Sequence, residues 1–361
     1  AQAAYNTIMS GWITQGPKVS EFELKFAEYV GSKYAVAVSN CTTALQLSLI
    51  VGGVKKNDEV ICPSLSYIAT TNCIKHIYAK PVLAEIDPKT YNLDIKDVKS
   101  KITNKTKAII LVHQMGVPAN IEDFKNLCSK HNILLIEDAA CAIGSSYNKK
   151  KIGNHSDLVC FSFHPRKIIS TGDGGMITTS NKKWYDRLKL LRQHGMSIND
   201  RVRHESKKVL KEKYLEVGYN FRMTDIQASV GIEQLKKLDF IVKERRKIAQ
   251  KYNVAFSECK NIRILKECNI SYFNYQSYPI YLKKSCPIKR DNLMQKLLDM
   301  GIATRRGIMT SHTEPAYKLD KIALPTSENA SKNSIIIPLY VPMDNKEINY
   351  VIESFLSLVS D

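Results

Sequence analysis

Through the first two thirds of the chain, short runs of β-branched and apolar residues alternate with longer amphipathic stretches. The short runs have the length and composition of buried strands, and they are Tyr34–Ser39, Glu59–Cys62, Pro81–Ile86, Ala108–Val112 and Ile133–Ile136. The stretches between them have helical spacing and lie near Ala44–Val51, Ile68–Ile77, Ile95–Ile102 and Ile121–His131. Strands that alternate with helices predict an α/β fold, in which helices cover both faces of a mostly parallel sheet.

The last third of the chain shows a different order of predicted helices and strands. A long helical stretch, about Thr224–Phe256, leads into two predicted strands, Gln276–Leu282 and Ile335–Leu339, and two predicted helices, Arg290–Met300 and Lys346–Leu358. With 361 residues the chain is long enough for two domains. We therefore expect a large domain over residues 1–241 and a smaller α+β domain over residues 242–361. No flexible linker separates them, so tight packing is predicted.

Composition narrows the class of protein. Hydrophobic residues make up 44% and charged residues 24%, and no apolar run approaches the ~20 residues that cross a bilayer, so no membrane partner is expected. The first residues lack the pattern of a signal peptide, although a short trimmed targeting segment is left open because the chain begins without Met. The nine cysteines are scattered without a Cys-x-x-Cys pair, which indicates reduced thiols, a cytoplasmic location and no metal site.

The formal net charge of +18 admits several interpretations. Nucleic-acid binding would call for a basic patch accompanied by aromatic residues or a helix-turn-helix signal. The lysines are instead spread along the chain, as at Lys149–Lys151 and Lys207–Lys213, without such a motif. We expect solvated charges and no nucleic-acid partner. Attraction of an anionic small molecule needs only local positive charge and is compatible with this composition.

Polar motifs follow the predicted strands, at the edge where ligands bind in parallel sheets. The motif Val38–Ala44 follows a strand and opens a helix, where free amides and small hydroxyl groups suit a phosphate. Taken alone, however, this motif is better explained as an ordinary helix cap. The motif Ile136–Ala140 ends an apolar strand with Asp138. A buried carboxylate needs a cationic partner, either a protonated pyridine nitrogen or a structural salt bridge.

A third motif contains a lysine in a tightly turned, apolar segment. It runs from Phe161 to Lys167 and continues into Thr171–Gly175. Burial and positive neighbours would lower the pKa of Lys167, which could then attack an aldehyde and form a Schiff base; a surface lysine in a loop is the alternative. The motif Gly218–Asp225 opens the long helix, with Asn220 as an amide donor and Thr224 or Asp225 as helix caps. Together these groups match what pyridoxal phosphate (PLP) requires.

Seven motifs in one order resemble the sugar aminotransferases of the DegT/DnrJ/EryC1/StrS family over nearly the whole chain. They are Gly11–Pro17, Ser39–Leu45, Pro63–Tyr67, Glu137–Ala140, Phe161–Lys167, Thr171–Gly175 and Gly218–Asp225. The resemblance implies the type I PLP-dependent aminotransferase fold. It also implies a homodimer whose active sites are each built from both subunits.

The resemblance also implies residue roles. Lys167 would form the Schiff base with PLP and shuttle a proton, and Asp138 would pair with the pyridine nitrogen. Tyr67 would stack on the cofactor ring. The phosphate would be held by the backbone of Cys41 and Thr42, by the hydroxyls of Thr42 and Ser162, and by Asn220 of the neighbouring subunit. Cys141 departs from the pattern, because the family usually has Gln or His at this position near the phenolic oxygen, and a thiol is a weak donor.

The implied reaction is a ping-pong transamination. An amino acid, expected to be glutamate, leaves its amine on the cofactor as pyridoxamine phosphate, and a nucleotide-linked keto-sugar then receives it. A 4-keto-6-deoxy sugar is the first expectation, for amino-sugar and surface polysaccharide biosynthesis, and a 3-ketone is the second.

Three other functions agree with parts of the sequence. A PLP-dependent sugar dehydratase would carry His in place of Lys167. A non-catalytic regulator on the same fold would tolerate loss of Lys167 or Asp138, and both are present. An enzyme of amino-acid metabolism would bind a substrate carboxylate through an arginine of the small domain, a role that Arg305 or Arg306 could fill.

The run Thr304–Tyr317 is the candidate for sugar-nucleotide contacts. It is predicted to begin as a strand over Ile302–Arg305 and to turn at Gly307 into a polar loop. Arg305 and Arg306 could meet a diphosphate, and His312 could donate a hydrogen bond to a sugar oxygen. Exposed strand arginines and a histidine that caps the loop are an equally good interpretation. If this loop were a bystander, residues 12–17 would be the next place to look.

Overall fold

A computed structural model describes residues 1–198, 200–317 and 322–360, with the side chains of residues 200, 201 and 205 excepted. In chain order the strands are β1 (Tyr34–Val38), β2 (Glu59–Pro63), β3 (Lys80–Ala84), β4 (Thr106–Val112), β5 (Leu134–Asp138), β6 (Ser146–Tyr147), β7 (Lys150–Lys151), β8 (Leu158–Ser162), β9 (Gly175–Thr179), β10 (Ile262–Ile264), β11 (Ser271–Tyr272), β12 (Tyr278–Leu282), β13 (Arg305–Arg306) and β14 (Ser334–Ile337).

The helices, also in chain order, are α1 (Gln2–Met9), α2 (Pro17–Val30), α3 (Cys41–Val51), α4 (Ala69–His76), α5 (Ile95–Lys101), α6 (Ile121–His131), α7 (Lys182–Leu191), α8 (Asp200–Glu205), α9 (Asp225–Lys236), α10 (Leu238–Phe256), α11 (Arg290–Asp299), α12 (Pro325–Asn333) and α13 (Asn345–Val359). Short 3₁₀ turns lie at Gln114–Gly116, Ser311–Thr313 and Pro315–Tyr317.

A seven-stranded sheet in the order β1-β9-β8-β5-β4-β2-β3 forms the centre of the larger part of the molecule. Strands β3, β2, β4, β5 and β8 pair in parallel with their neighbours in that series. Strand β9 runs antiparallel to both β8 and β1. The mostly parallel sheet predicted from the alternating pattern is therefore confirmed, with one reversed strand.

Helices cover both faces of this sheet. Because side chains alternate along a strand, Ala35 and Ala37 of β1 enter one apolar cluster while Val36 and Val38 enter the other. Phe124 of α6 belongs to the first cluster and lies on that face. Helices α3, α4 and α7 contribute buried residues to the second cluster. A sheet buried on both faces explains why its strands read as nearly continuous apolar runs in the sequence.

The last third forms a second, antiparallel sheet in the order β10-β12-β14-β13. Its own apolar cluster includes Tyr252 and Phe256 of α10, Leu293 of α11 and Phe355 of α13. A small third sheet joins the two parts, since β11 pairs with β6. The boundary predicted between residues 241 and 242 falls within α10, and the division of the chain there remains a proposal.

The long helix predicted over Thr224–Phe256 is two helices. Helix α9 ends at Lys236 and α10 begins at Leu238. No Gly or Pro marks the break at Lys237, so the apolar periodicity continues across it without a signal that one helix ends and another begins. The strand expected over Ile302–Arg305 is also displaced, because only Arg305 and Arg306 pair with β14.

Asp225 and Thr224 cap two different helices. Thr224 Oγ1 accepts a hydrogen bond from the Gln227 amide at 3.2 Å and caps α9. The carboxylate of Asp225, fully buried, accepts from the amides of Gly16, Lys18 and Val19 at 2.7, 2.9 and 2.9 Å. Those amides begin α2, so Asp225 satisfies donors that a helix start leaves free. It thereby fastens the loop over residues 11–16 to the start of α9.

Among the described residues, no helix combines the length and the apolar character that crossing a lipid bilayer requires.

Asp225→Ala is expected to lower the free energy of unfolding by about 3 kcal/mol, because it strands three amides in a buried place. Asp225→Asn keeps one acceptor oxygen and should lose less. Urea unfolding followed by circular dichroism measures both, and Asp299→Ala on the exposed end of α11 is the control. An Asp225→Ala protein as stable as this control would show that the cap contributes little.

Candidate active site

The strand ends of the large sheet bring the predicted polar motifs to one edge. Strands β1, β2, β5 and β8 all end there, and the reversed strand β9 begins there. At Gly175, the first residue of β9, an added Cβ would lie 2.5 Å from the carbonyl group of Asn40. Only a glycine lets the start of α3 approach β9 this closely. The close contact sets the helix start against the end of β8.

The start of α3 offers donors for an anion. The Asn40 side chain accepts from the Thr43 amide at 2.9 Å, and the Asn40 carbonyl accepts from the Ala44 amide at 3.1 Å. Among the described residues, no acceptor takes the amide hydrogens of Cys41 or Thr42 or the Thr42 hydroxyl. Free amides at the positive end of a helix suit a phosphate group.

Ser162, at the end of β8, contributes a further hydroxyl to this edge. Its Oγ accepts a hydrogen bond from the His164 amide at 3.4 Å and keeps its own proton to donate. The donors on α3 and β8 therefore fit the phosphate of PLP. Contact of these donors with the phosphate stays a prediction.

Asp138 is a buried carboxylate with neutral donors only. Its side chain accepts from Thr70 Oγ1 at 2.9 Å and from the Ala140 amide at 3.1 Å, and the residue is 5% exposed. Among the described residues, no cation forms an ion pair with it. Burial of an anion without an ion-pair partner costs free energy, so the positive charge of a protonated ring nitrogen would suit this place.

Lys167 points at Cys141, with Nζ donating to Sγ at 3.2 Å. Burial by itself would lower the pKa of Lys167, but the neighbouring Cys141, together with Cys41 and Asp138, outweighs it and raises that pKa. The sequence-based expectation that burial and positive neighbours lower the pKa of Lys167 is therefore wrong. The groups that face Nζ are a thiol and a carboxylate, which favour the charged amine.

Two side chains from the last third of the chain form hydrogen bonds with the backbone beside Cys141 and beside Lys167. Asn274, fully buried, donates from Nδ2 to the carbonyls of Cys141 and Ile143, each at 2.8 Å. Gln276 donates from Nε2 to the carbonyl of Arg166 at 2.7 Å. Sequence reasoning missed both residues, because polar side chains between two strands look like an ordinary loop.

Within the ranges that the structure describes, no hydrogen bond occupies the side chain of Tyr67 or that of Asn220. The Tyr67 ring, just beyond β2, is 65% exposed, as a stacking surface for a ring would be. Asn220 is exposed, and its neighbour Phe221 accepts from the Ser39 amide at 2.9 Å. Asn220 therefore lies beside the end of β1. Its contact with a neighbouring subunit's phosphate stays a prediction, as does stacking by Tyr67.

His312 is committed to contacts within its own chain. Nδ1 lies 2.6 Å from Ser64 Oγ and Nε2 lies 3.1 Å from Glu328 Oε1, and the residue is 6% exposed. One of these contacts would have to break before His312 could donate to a sugar oxygen. The geometry thus favours the anchoring role, and the sugar contact remains a prediction.

Arg305 and Arg306 do not converge. They are successive residues of β13, and successive side chains of a strand leave opposite faces. Arg306 lies 3.9 Å from Glu314. The strand geometry therefore does not favour binding of one diphosphate by both arginines. Contact of either residue with a substrate remains a prediction.

Comparison with known proteins agrees with the geometry. A model of the DegT/DnrJ/EryC1/StrS aminotransferase family matches residues 1–356. The chain is 35% identical to the GDP-perosamine synthase of Escherichia coli O157:H7, covering 98% of this chain and 93% of that protein. It is 33% identical to the spore coat polysaccharide biosynthesis protein SpsC of Bacillus subtilis, covering 99% and 94%.

Solved structures with the same fold include the PMP-form of a putative sugar aminotransferase, Spr1654, from Streptococcus pneumoniae. It is 27% identical, covers 99% of this chain and 95% of its own, and superposes with a TM-score of 0.94. DesV of S. venezuelae, in complex with a ketimine intermediate, has a TM-score of 0.92, with 28% identity over 100% of this chain and 94% of its own.

The contact between Lys167 and Cys141 predicts a pH effect. Because Cys141 raises the pKa of Lys167, Cys141→Ala should lower it, and the neutral amine should be available at lower pH. The rate at which apoprotein binds PLP covalently, followed by borohydride trapping and mass analysis of the Lys167 peptide, should reach half its plateau at lower pH. Cys268→Ala, at an exposed cysteine, is the control. A midpoint that stays or rises would contradict the assignment.

Proposed function

Because the chain belongs to the DegT/DnrJ/EryC1/StrS aminotransferase family of PLP-dependent sugar aminotransferases, we propose that it transfers an amino group from glutamate to a keto-sugar linked to a nucleotide. One observation carries the proposal: Lys167, the carboxylate of Asp138 and the free amides at Cys41 and Thr42 lie at one sheet edge, and among the described residues Asp138 forms no ion pair. A lysine, an anion for a ring nitrogen and a phosphate cradle are the three features PLP requires.

The acceptor is proposed from the relatives. Proteins about a third identical over nearly their whole length bear names that include GDP-perosamine synthase and spore coat polysaccharide biosynthesis. These names support a nucleoside-diphosphate sugar as the acceptor and an amino sugar for a polysaccharide as the product. A 4-keto-6-deoxy sugar is the proposed acceptor.

PLP, when bound, withdraws electrons from the substrate carbon and so makes its proton acidic. The residues of the chain supply the rest. Asp138 keeps a proton on the ring nitrogen, because a buried carboxylate favours a cation beside it. Lys167 Nζ would move a proton from the donor carbon to the cofactor in the first half-reaction, and from the cofactor to the sugar carbon in the second. Cys141, held through its carbonyl by Asn274, keeps Nζ aimed at the reacting centre.

A homodimer is proposed from the surface near Asn220. Val209, Tyr214, Leu215 and Val217 are 91%, 65%, 63% and 90% exposed in the single chain. Exposed apolar side chains this close together in the sequence suit an interaction surface, and the family resemblance implies that Asn220 would then serve the neighbouring subunit's site. A cytoplasmic location is proposed as well, because the nine cysteines, none of them in a disulfide, fit a reducing compartment.

Incubation with PLP, glutamate and a panel of nucleotide-linked keto-sugars is expected to yield one aminated product by mass spectrometry. Lys167→Ala should form none, and it should lose borohydride-trappable cofactor. Asp138→Asn should still trap the cofactor yet lose more than about 100-fold in turnover, because an amide cannot hold the ring nitrogen protonated. A folded, PLP-loaded protein that aminates no sugar in the panel, or an Asp138→Asn protein with near-native turnover, would refute the proposal.

Mixing two defective variants tests the shared site. In a heterodimer of Lys167→Ala and Asn220→Ala subunits, one site has both mutations if Asn220 acts across the interface, and the other site is intact. Unfolding and refolding the equimolar mixture should therefore restore about a quarter of native activity. No gain over the separate variants would show that Asn220 serves its own subunit.

A further inference from the structure

The carboxylate of Asp138 lies at the end of a chain of two hydroxyl groups. Thr70 Oγ1 is 2.9 Å from Asp138 Oδ2, and Ser66 Oγ is 2.8 Å from Thr70 Oγ1. Thr70 is 1% exposed and Ser66 is 2% exposed. Bulk water therefore has little access to these two hydrogen bonds, and each is worth more than it would be at the surface.

The direction of both hydrogen bonds follows from the chemistry of the groups. An ionised carboxylate can only accept, so Thr70 gives its one hydroxyl proton to Asp138. Because that proton is committed, Thr70 Oγ1 accepts from Ser66, whose hydroxyl is the donor. Donors in such a chain polarise one another. Both hydroxyl groups therefore stabilise negative charge on Asp138.

The backbone of Thr70 is held as well. Its amide donates to the carbonyl of Tyr67 at 3.1 Å, and its carbonyl accepts from Cys73 Sγ at 3.2 Å. Thr70 thus connects the turn that carries the Tyr67 ring with the carboxylate of Asp138. A residue held through its amide, its carbonyl and its hydroxyl keeps that hydroxyl in one direction.

The other carboxylate oxygen has a donor of its own. Asp138 Oδ1 accepts from the Ala140 amide at 3.1 Å. Two neutral donors offset only part of the free energy that burial of a charge costs. The buried carboxylate of Glu23, by contrast, has Arg192 as its ion-pair partner. Asp138 is therefore oriented by neutral groups and keeps lone pairs for one cationic donor.

We propose that Thr70, with Ser66 behind it, is a positioning residue that keeps the proton on the ring nitrogen of PLP. The proposal rests on the proposed function, in which Asp138 pairs with that nitrogen. A proton shared between a ring nitrogen and a carboxylate lies nearer the nitrogen when hydrogen bonds stabilise the carboxylate as an anion. Thr70 supplies that stabilisation at Oδ2, and it acts through Asp138 and not on the substrate.

Thr70→Val removes the hydroxyl and keeps the shape of the side chain, so it tests the proposal directly. In protein loaded with ¹⁵N-labelled PLP, the resonance of the ring nitrogen should move from the position of a protonated pyridine towards that of a neutral one. The rate at which glutamate removes the visible cofactor band should fall about tenfold, as expected for one hydrogen bond to a charged group. Thr70→Ser, which keeps the hydroxyl, should restore both values.

Thr71→Val is the matched control. Thr71 follows Thr70 in α4 and is fully buried, and its hydroxyl lies 2.9 Å from Ser311 Oγ. The resonance and the glutamate rate should stay native in this variant, because the contact with Asp138 is intact. Ser66→Ala should move the resonance in the same direction as Thr70→Val but less far, and it carries the test if Thr70→Val does not fold. Thermal melting shows which variants fold.

The outcomes separate this role from the proposed function. If Asp138→Asn is inactive while a folded Thr70→Val protein keeps the native resonance and rate, the proposed function stands and the role of Thr70 is overturned. A shift in Thr71→Val as large as in Thr70→Val overturns it too, because the effect would then be one of packing. A native protein whose ring nitrogen carries no proton overturns both. If the nitrogen results hold but no keto-sugar is aminated, only the proposed acceptor fails.

Discussion

The parallel direction of β2, β4, β5 and β8 is the constraint on which the site depends. Parallel strands place all their carboxyl ends at one edge, so Asp138 at the end of β5 and Ser162 at the end of β8 meet there although 24 residues separate them in the sequence. Gly175 completes the arrangement, because the missing side chain lets the start of α3 lie against β9. A substitution there would displace the two free amides from the hydroxyl of Ser162.

Much of the carboxyl-terminal edge of the large sheet could be predicted, because the sequence patterns that indicate its elements are local. Helix α6 begins and ends where its apolar periodicity does, and Asp138 follows an unbroken apolar strand. The contacts that aim Lys167 could not be predicted, since Asn274 lies more than a hundred residues from Cys141 and carries no motif. The break at Lys237 could not be predicted either, because α9 ends at a position that local propensity leaves helical.

The pKa of Lys167 is the property of the site that the sequence predicts in the wrong direction. Basic residues near it suggested a lowered pKa, yet Nζ faces the thiol of Cys141 and shares its surroundings with Asp138, and its pKa is raised. The causes that shift the pKa of Lys167 are its burial and the groups of Cys141, Cys41 and Asp138, and no basic side chain is among them. Basic residues that are near the lysine in sequence therefore do not decide its proton affinity, because the Coulomb interaction falls with separation and with solvent screening.

The way Cys141 is held explains why its side chain can differ from the usual Gln or His. Asn274 donates hydrogen bonds to the backbone carbonyls of Cys141 and Ile143 and not to the Cys141 side chain. Backbone hydrogen bonds fix the position of residue 141 whatever its side chain, whereas the side chain alone decides which group meets Lys167 Nζ. Exchange of an amide or imidazole for a thiol thus changes the chemistry at one atom and leaves the surrounding geometry in place. A site whose frame is made by the backbone can change the proton affinity of its lysine without refolding around it.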